Sequence, residues 1–365
     1  MQLIIEGQKI DKKSIATTVL EEKIGRFIAA WQSGQQQFSL QTSGSTGQPK
    51  IIEVHRQQMQ KSAALTAQAL GLKAGETALL GMNPEMIGGR MMIVRALELN
   101  LNLEVVRAQL NPVLQATTDF DFVALVPAQL QEALQNPVSK AKINQCKNVI
   151  IGGAPMSYGL KQACQSLQCQ VYATYGMTET VSHIALQKIN GIDASTTFNA
   201  LPDVKLQTDH RGCLVIDSPT AKGQIITNDL VHLTSPSTFI WQGRADFTIN
   251  TGGVKVQVET IEQAIEKLFF DHQILDRFII TSQQDDRWGE KICLIIETSK
   301  INNELLQLIT HQLQPYLPDQ YHRPKCVAVI PSFDELASGK LNRSAIKNQL
   351  NNAPDSFIDL HYPVR

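Results

Sequence analysis

Apolar and polar positions alternate in two ways through the first part of the chain. Apolar residues at helical spacing from Ile15 to Trp31 predict a first helix. One β-type run lies early in the chain, at 38–42. Later β-type runs are separated by helical patterns and lie at 77–82, 103–106, 122–126, 148–151 and 170–174. Such alternation is typical of an α/β fold with a largely parallel sheet.

The pattern changes twice further along the chain. From about residue 203, short strands are divided by Asp, Gly and Pro turns, which indicates a small β-subdomain over about 203–242. From residue 246, an amphipathic helix, two strands, a helix at 304–317, a strand and a last helix predict a compact α+β unit. We therefore expect a large N-terminal domain at 1–245 and a small mobile C-terminal domain at 246–365.

Composition restricts the function without naming it. The 365 residues are 43% hydrophobic and 18% charged, as in a globular protein, and the net charge of −1 gives no reason to expect nucleic-acid binding. No apolar stretch is long enough for a membrane span, and the first residues lack a secretory signal, so we expect a cytoplasmic protein. The six scattered cysteines lack zinc spacing and are expected to be free thiols.

The first chemical motif is a loop rich in small and hydroxyl residues. It contains Thr42, Ser43, Gly44, Ser45, Thr46 and Gly47, and it ends at Lys50. Glycines allow backbone amides to close on an oxyanion, and hydroxyls and lysine add donors and charge, which suits a triphosphate. Pro49 before the lysine and Ile51 after it exclude a Walker A loop. The alternative is a flexible Gly/Ser loop, which the order of residues between a strand and a helix disfavours.

Two more motifs follow predicted strands, where ligands collect in open α/β sheets. Gly153, Ala154 and Pro155 follow the run at 148–151, and their small side chains would admit a flat ring, although alone they read as a turn. The run at 170–174 leads into Tyr175, Gly176, Met177, Thr178, Glu179 and Thr180. Thr178 can donate to a phosphate and Glu179 can offer Mg²⁺ an oxygen ligand, but an isolated Glu179 would more often be a solvated loop residue.

The last motifs lie where the chain changes pattern and near its end. Arg244 and Asp246 precede the pair Gly252 and Gly253, and Glu259 follows. A fixed-charge guanidinium suits ribose or phosphate, and the change of pattern makes a hinge plausible here. Lys340 sits beside a glycine in a late loop, and by itself it would be assigned no role.

Taken together, these motifs resemble the adenylate-forming superfamily of acyl-CoA synthetases, adenylation domains and luciferases, from about residue 38 to 343. The resemblance implies ATP, Mg²⁺ and CoA as cofactors. It implies that the loop 42–50 holds the ATP phosphates, and that Gly153, Ala154, Pro155, Tyr175 and Gly176 border the nucleotide. It further implies the following roles: Thr178 at the α-phosphate, Glu179 on Mg²⁺, Asp229 and Arg244 at the ribose, Asp246 as the hinge, Gly252 and Gly253 facing CoA, and Lys340 in adenylation. Asn228 stands where the family's ribose motif has glycine.

Within the superfamily, the chain looks most like the short o-succinylbenzoate–CoA ligases of menaquinone synthesis. The segment 84–97 and Ser182 and His183 carry this likeness. It implies that Arg95, with Arg90 as the alternative, holds the substrate carboxylate. If the segment is helical from Met91, the two arginines do not share a face, so only one should point inward. The alternative is that both are surface arginines. Met86 departs from the histidine of many relatives.

Several points stay open from the sequence alone. Only 41 residues precede the phosphate loop, which the resemblance reads as a shortened N-terminal subdomain. The expected partners are a small acid, ATP and CoA, without nucleic acid or membrane insertion, and self-association is left undecided. The alternatives are an adenylating ligase for another aromatic or aliphatic acid, including one that loads a carrier protein, and a non-catalytic nucleotide- or acyl-binding relative.

Overall fold

The computed structural model describes residues 2–10, 18–41, 51–335, 341–351 and 357–363. The chain separates into two compact units. The first comprises Met1–Asp209, Leu214–Thr227 and His232–Ile240, and the second comprises His210–Cys213, Asn228–Val231 and Trp241–Arg365.

The first part of the chain alternates strands and helices around one large sheet and also contains a separate two-stranded sheet. Its helices are α1 (Val19–Gln32), α2 (Arg56–Leu70), α3 (Ile87–Leu99), α4 (Pro127–Gln135), α5 (Pro137–Gln145) and α6 (Tyr158–Cys164). Its strands are β1 (Leu3–Ile5), β2 (Gln8–Lys9), β3 (Gln37–Gln41), β4 (Ile51–His55), β5 (Thr77–Leu80), β6 (Asn102–Val105), β7 (Phe122–Leu125), β8 (Asn148–Ile151), β9 (Gln170–Gly176), β10 (His183–Lys188) and β11 (Phe198–Ala200). The sheet continues with β12 (Lys205–Thr208), β13 (Cys213–Asp217), β14 (Ile225–Ser235) and β15 (Thr238–Arg244).

In the described residues the large sheet runs in the order β12-β13-β14-β15-β11-β10-β9-β8-β7-β5-β6-β1-β2. Five neighbouring strands in this order, β9, β8, β7, β5 and β6, pair in parallel, so their carboxyl ends meet at one edge. Helices cover such strands on both sides, which explains why β7 and β8 are buried at every position and read as continuous apolar runs. The predicted α/β class is confirmed. The sheet is mixed, however, because the strands that follow β9 pair antiparallel.

Helix α3 lies unusually close to the turn that precedes it. A Cβ on Gly89 would meet the backbone oxygen of Asn83 at 2.2 Å, so this contact needs glycine. The helix ends at Leu99, and Asn100 follows with a left-handed backbone, which asparagine tolerates better than most residues. The close approach fixes the direction of α3, whose buried positions include Arg95.

The second unit is an α+β structure around a smaller sheet. Its strands are β16 (Thr248–Thr251), β17 (Val254–Gln257), β18 (Phe278–Asp285), β19 (Gly289–Glu297), β20 (Cys326–Ile330) and β21 (Ile358–Asp359), and its helices are α7 (Val258–Asp271), α8 (Asn303–Gln312) and α9 (Arg343–Asn351). The apolar stripe of α7 includes Ile261, Ile265 and Leu268, which have no exposed surface and pack with residues of the sheet. This stripe is the amphipathic pattern that the sequence predicted.

Some predictions about local structure were wrong. Residues 42–50 lie in the chain between β3 and β4, which pair antiparallel, so the next described element is a strand and not the expected helix. The helix expected at 304–317 ends at Gln312, and a short 3₁₀ turn, Gln314–Tyr316, follows. The short strands expected at about 203–242 are present, and they join the large sheet.

The expectation of free thiols was wrong for two of the six cysteines. Cys293 on β19 and Cys326 on β20 are direct partners in the strand register and form a disulfide. Their separation of 33 residues hides this pairing, which only the parallel register reveals. Cys146, Cys164 and Cys169 are buried thiols. Across the residues that the structure describes, no helix has the length and apolar character needed to cross a membrane.

Candidate active site

The carboxyl-end edge of the parallel sheet carries two of the predicted loops side by side. Gly152 follows β8, and the neighbouring β9 supplies Thr174, whose hydroxyl donates to the Ile151 carbonyl at 3.1 Å. A Cβ on Gly152 would lie 2.5 Å from that hydroxyl, so the two strand ends approach as closely as glycine permits. The next three residues of the chain were predicted to border the nucleotide, and they are exposed at this edge of the sheet: Gly153, Ala154 and Pro155.

Tyr175 is held in place by an aromatic cluster. Its ring meets Phe239 edge-on with 5.1 Å between ring centroids and Phe198 with 5.8 Å, and those two phenylalanines stack on each other. Gly176 follows, and a Cβ there would lie 2.2 Å from the Ser182 carbonyl oxygen. The end of β9 is thereby fixed in position against the start of β10.

A short 3₁₀ turn, Thr178–Thr180, joins β9 to β10. The buried Thr180 hydroxyl accepts the Met177 amide at 3.0 Å and lies 2.6 Å from the Ser182 carbonyl. Val181 closes the turn with a backbone φ of 68°, which a β-branched residue adopts only at a cost of about 1–3 kcal/mol. The backbone of this turn is therefore held by its surroundings, with Glu179 exposed at its centre.

Glu179 is an isolated acid rather than part of a metal cluster. Among the described residues, no group of three or more His, Cys, Asp and Glu side chains could hold a metal ion. Mg²⁺ keeps several waters and is usually bound by one or two carboxylates together with substrate phosphates. A single exposed carboxylate is consistent with that mode and not with an all-protein metal cage.

Arg95 is the most unusual side chain of the first unit. It is 1% exposed, and its Nη2 donates to the Ser182 hydroxyl at 3.0 Å while Nη1 lies 3.7 Å from the Met92 sulfur. Its Nε is buried without a hydrogen-bond partner, and no carboxylate within the described ranges forms an ion pair with it. Burial lowers the pKa of Arg95 to about 10, so the guanidinium is still charged at neutral pH.

A chain of hydrogen bonds continues from Arg95 through His183. The Ser182 hydroxyl lies 3.3 Å from His183 Nδ1, and His183 Nε2 lies 3.3 Å from the Thr66 hydroxyl, which donates to the Ser62 carbonyl at 2.9 Å. Since the Ser182 hydroxyl accepts a hydrogen bond from Arg95, its own proton points to His183 Nδ1. The His183 tautomer with its proton on Nε2 then donates to Thr66, so that every hydrogen bond of the chain runs in the same direction. Burial, together with the charge of Arg95, lowers the pKa of His183 to about 3.

Arg90 has a different environment although it lies on the same helix. Its guanidinium stacks over the Phe27 ring at 4.9 Å, and its Nε lies 3.4 Å from the Pro84 carbonyl. It borders a surface groove with Lys23 and Arg26 and remains partly exposed. The two arginines thus point in different directions, and only Arg95 reaches Ser182 and His183.

The second unit contains a compact charged group around the predicted hinge. Arg244 lies 2.7 Å from the Asp246 carboxylate and 3.7 Å from that of Asp229. Asn228, the departure from the family pattern, donates to Asp246 at 3.2 Å and accepts from Arg211 at 3.0 Å. Asn228 is the neighbour of Asp229 in the chain, and its side chain therefore binds the predicted hinge residue Asp246, a contact that glycine could not make.

Gly252 and Gly253 form the two-residue turn between β16 and β17. Their φ values of 59° and 82° match a type I′ hairpin, which strongly prefers glycine. The Gly252 amide donates to the Trp288 carbonyl at 2.8 Å, and a Cβ there would lie 3.0 Å from the indole. The cations of Arg287 and Lys325 lie 5.1 and 5.0 Å from the Trp288 ring.

Two predicted parts of the site lie outside the described residues: the loop from Thr42 to Lys50, and Lys340. Sequence reasoning missed Thr66, Trp288, Arg287 and Lys325. The pair of glycines was a usable signal for the hairpin beside Trp288, whereas nothing local to Thr66 marks its contact with a histidine 117 residues away.

Comparison with known proteins agrees with this geometry. The AMP-binding enzyme family matches residues 19–226, and the chain belongs to that family. The chain is 36% identical to an AMP-forming acyl-CoA synthetase/AMP-acid ligase II-like protein from Dyadobacter fermentans, with a TM-score of 0.63 over 93% of this chain and 96% of the other. The prediction of an AMP-forming acid–CoA ligase of the adenylate-forming superfamily is confirmed.

Two further relatives are similar to this chain at lower identity. The probable 2-succinylbenzoate–CoA ligase of Mycobacterium tuberculosis is 28% identical over 70% of this chain and 69% of its own length. The o-succinylbenzoate–coenzyme A synthetase of Bacillus subtilis, solved with ATP and magnesium, has a TM-score of 0.68 and 20% identity over 85% of this chain and 69% of that structure. The latter likeness shows the shared fold.

Proposed function

We propose that this protein activates o-succinylbenzoate with ATP and transfers the acyl group to CoA, with Arg95 binding the ring carboxylate. The single observation that carries the choice of acid is the buried charge of Arg95, which lacks a carboxylate partner among the described residues. Relatives that carry the name 2-succinylbenzoate–CoA ligase support the same assignment.

A buried unpaired cation is costly, which is why buried charges are normally paired. A substrate carboxylate would supply the missing partner, and a guanidinium can accept it through two parallel hydrogen bonds. o-Succinylbenzoate has two carboxylates, of which only the succinyl one reacts in the family. The other must be held without being activated, and a buried arginine tied to Ser182 meets that need.

The neutral His183 defines the polarity of this pocket. With its pKa lowered to about 3, the imidazole adds no second positive charge and serves to orient the Ser182 hydroxyl. One fixed cation with neutral donors favours a single carboxylate over a phosphate or a dianionic group. This arrangement supports an aromatic acid with one additional carboxylate.

The nucleotide half of the proposal follows the roles that the resemblance implies. The carboxylate attacks the α-phosphate and pyrophosphate leaves, a reaction that needs charge neutralisation and alignment more than covalent help. We assign Lys50 and Lys340 to that charge, Thr178 to the α-phosphate, and Asp229 and Arg244 to the ribose. The adenine would lie against Gly153, Ala154, Pro155 and Tyr175, with Gly176 close by. Mg²⁺ held by Glu179 would neutralise charge on the phosphates.

The second half-reaction uses CoA, and the hairpin of Gly252 and Gly253 is the proposed contact. Cations at Arg287 and Lys325 flank an indole beside this hairpin. Phosphate groups and an adenine ring are suitable partners for such a set, through ion pairing and stacking. Rotation of the backbone at Asp246 would convert the arrangement that forms the adenylate into the arrangement that forms the thioester.

The deciding experiment is ATP–pyrophosphate exchange with a panel of acids, followed by assay of thioester formation with CoA. The panel contains o-succinylbenzoate, 4-oxo-4-phenylbutanoate, which lacks the ring carboxylate, benzoate and a fatty acid. We expect exchange and thioester formation to be fastest with o-succinylbenzoate. Preference for another acid would overturn the assignment of the substrate. Transfer to a carrier protein but not to CoA would overturn the assignment of CoA as acceptor. Absence of exchange with every acid would overturn the adenylating activity.

A further inference from the structure

Glu259 makes a contact with the hinge region that the proposed function does not use. It lies in the first turn of α7, and its Oε1 accepts the backbone amide of Arg244 at 3.0 Å. A Cβ on Gly243 would lie 2.5 Å from Glu259 Oε2 and 2.9 Å from the carboxyl carbon. Gly243 has a φ of 141°, so glycine both permits this backbone and leaves room for the carboxyl group.

The surroundings of Glu259 leave its carboxyl group poorly compensated. Oε2 is buried without a hydrogen-bond partner in the part of the chain that the structure describes. Glu262 adds negative charge from the same helix, and Arg343 of α9 pairs with that acid at 2.8 Å. The guanidinium of Arg244 is directed to Asp246. The Arg244 amide is a hydrogen-bond donor to Glu259 from the other side of Asp246 in the chain.

The bond from Arg244 to Glu259 spans the predicted hinge. Arg244 comes before Asp246 and α7 comes after it, so a large change of backbone angles at Asp246 moves the amide away from the carboxyl group. The bond is therefore compatible with one setting of the hinge. We propose that Glu259 is a latch, a positioning residue that holds Gly243 and Arg244 against α7 and must release them when the hinge turns.

This inference rests on the proposed function, because it assumes a hinge at Asp246, and it adds a dependence on pH. Burial raises the pKa of Glu259 to about 7. The negative charge of Glu262 reinforces this shift, and the backbone amides of Glu259 and Arg244 and the charge of Arg343 oppose it. A released carboxyl group would regain water and its ordinary pKa near 4.3. The latched setting therefore binds a proton that the released setting loses. The stabilisation of the latched setting by this proton is complete below about pH 4 and is lost as the pH rises through about 7.

Hydrogen–deuterium exchange of the peptide that contains the Arg244 amide tests the latch directly. Glu259→Ala should raise exchange in that peptide by about tenfold, the effect of losing one hydrogen bond to an acidic group. Glu259→Gln keeps an acceptor and should retain most of the protection. Glu304→Ala, an exposed acid in the first turn of α8, is the matched control and should leave the peptide unchanged.

The pH dependence separates a latch from simple packing. After correction for intrinsic exchange, protection of the peptide in the wild type should fall as the pH rises through about 7, whereas Glu259→Gln should show no such step. The ratio of pyrophosphate exchange to thioester formation should change several-fold in Glu259→Ala and be mostly restored in Glu259→Gln. Wild-type protection in Glu259→Ala, or equal loss in both variants, would overturn the latch.

The proposed function can fail separately from the latch. If the wild type catalyses no pyrophosphate exchange, the enzymatic assignment is wrong, and the exchange of the Arg244 amide still decides whether Glu259 restrains this backbone. If the wild type is active and Glu259→Ala leaves both the amide protection and the ratio of half-reactions unchanged, only the latch is wrong.

Discussion

The Arg95 guanidinium donates to the Ser182 hydroxyl at 3.0 Å, although 87 residues separate the two in the chain. The serine takes its position from the strained turn before β10, and the arginine takes its position from α3, which Gly89 allows to pack closely. Two separate local features of the sequence therefore meet in one buried polar site. Its chemistry is the basis of the first prediction.

Replacing Arg95 with alanine should damage activity toward o-succinylbenzoate far more than toward 4-oxo-4-phenylbutanoate. Loss of a buried charged partner costs about 2–5 kcal/mol, so kcat/KM should fall about 30- to several-thousand-fold. Steady-state kinetics with both acids measure the difference. Arg90→Ala is the control on the same helix, and it should change the two values by similar small factors. Equal losses for both acids in Arg95→Ala would contradict the carboxylate role.

Lys340 should serve adenylation alone. Because the lysine is assigned to charge on the reacting phosphates, Lys340→Ala should slow acyl-adenylate formation by orders of magnitude. Thioester formation from supplied acyl-adenylate should stay near the wild-type rate. Lys347→Ala, on the exposed side of α9, controls for charge loss in the same region. A parallel decline of both half-reactions would show that the lysine is not specific to one step.

A proline at position 246 should separate the two half-reactions. Proline fixes φ and resists the backbone rotation proposed for Asp246. Asp246→Pro should keep pyrophosphate exchange and lose transfer to CoA. Because Asp246 also binds Arg244 and Asn228, Asp246→Ala removes those contacts without fixing the backbone and is the matched control. A folded Asp246→Pro enzyme with normal turnover would exclude a hinge at this residue.

His183 should make the protein less stable in mild acid. Its pKa is lowered to about 3, whereas an unfolded histidine titrates near 6.5. The unfolded chain therefore binds the proton first, and the stability contributed by the neutral imidazole is present above about pH 6.5 and is lost as the pH falls toward 3. Between pH 7 and pH 5 this one residue should account for a loss of about 2 kcal/mol.

Urea unfolding at pH 7 and pH 5 measures that loss, with His183→Gln as the comparison because it cannot titrate. The wild type should lose about 2 kcal/mol more than the variant between the two pH values, while other groups change both proteins alike. The same loss in both proteins would mean that His183 is not held neutral in the folded state.

The parts of the fold that the sequence predicted correctly are those with a strong local pattern. The continuous apolar run at 148–151 has the bounds that the structure gives β8, and the run at 122–126 exceeds β7 by one residue. The apolar stripe of α7 was equally readable. In these segments, burial on one or both faces determines the residue types position by position.

The features that the sequence could not predict depend on distant contacts. Thr66 meets His183 across 117 residues, and Cys293 meets Cys326 through strand register. Glu259 read as an ordinary acid in a first helical turn, since its contact with the Arg244 amide follows from the path of the chain at Gly243. Burial of a polar group is set by tertiary packing, and no local spacing encodes it.

The position of Trp288 gives the protein a natural optical reporter. The chain contains three tryptophans, and Trp288 alone lies against Gly252 with cations of Arg287 and Lys325 near its ring. Trp31, which stacks on Phe38, belongs to the other unit. A molecule that settles on the hairpin should change the emission of Trp288, so a Trp31→Phe and Trp241→Phe background would let CoA binding be followed by fluorescence without a label.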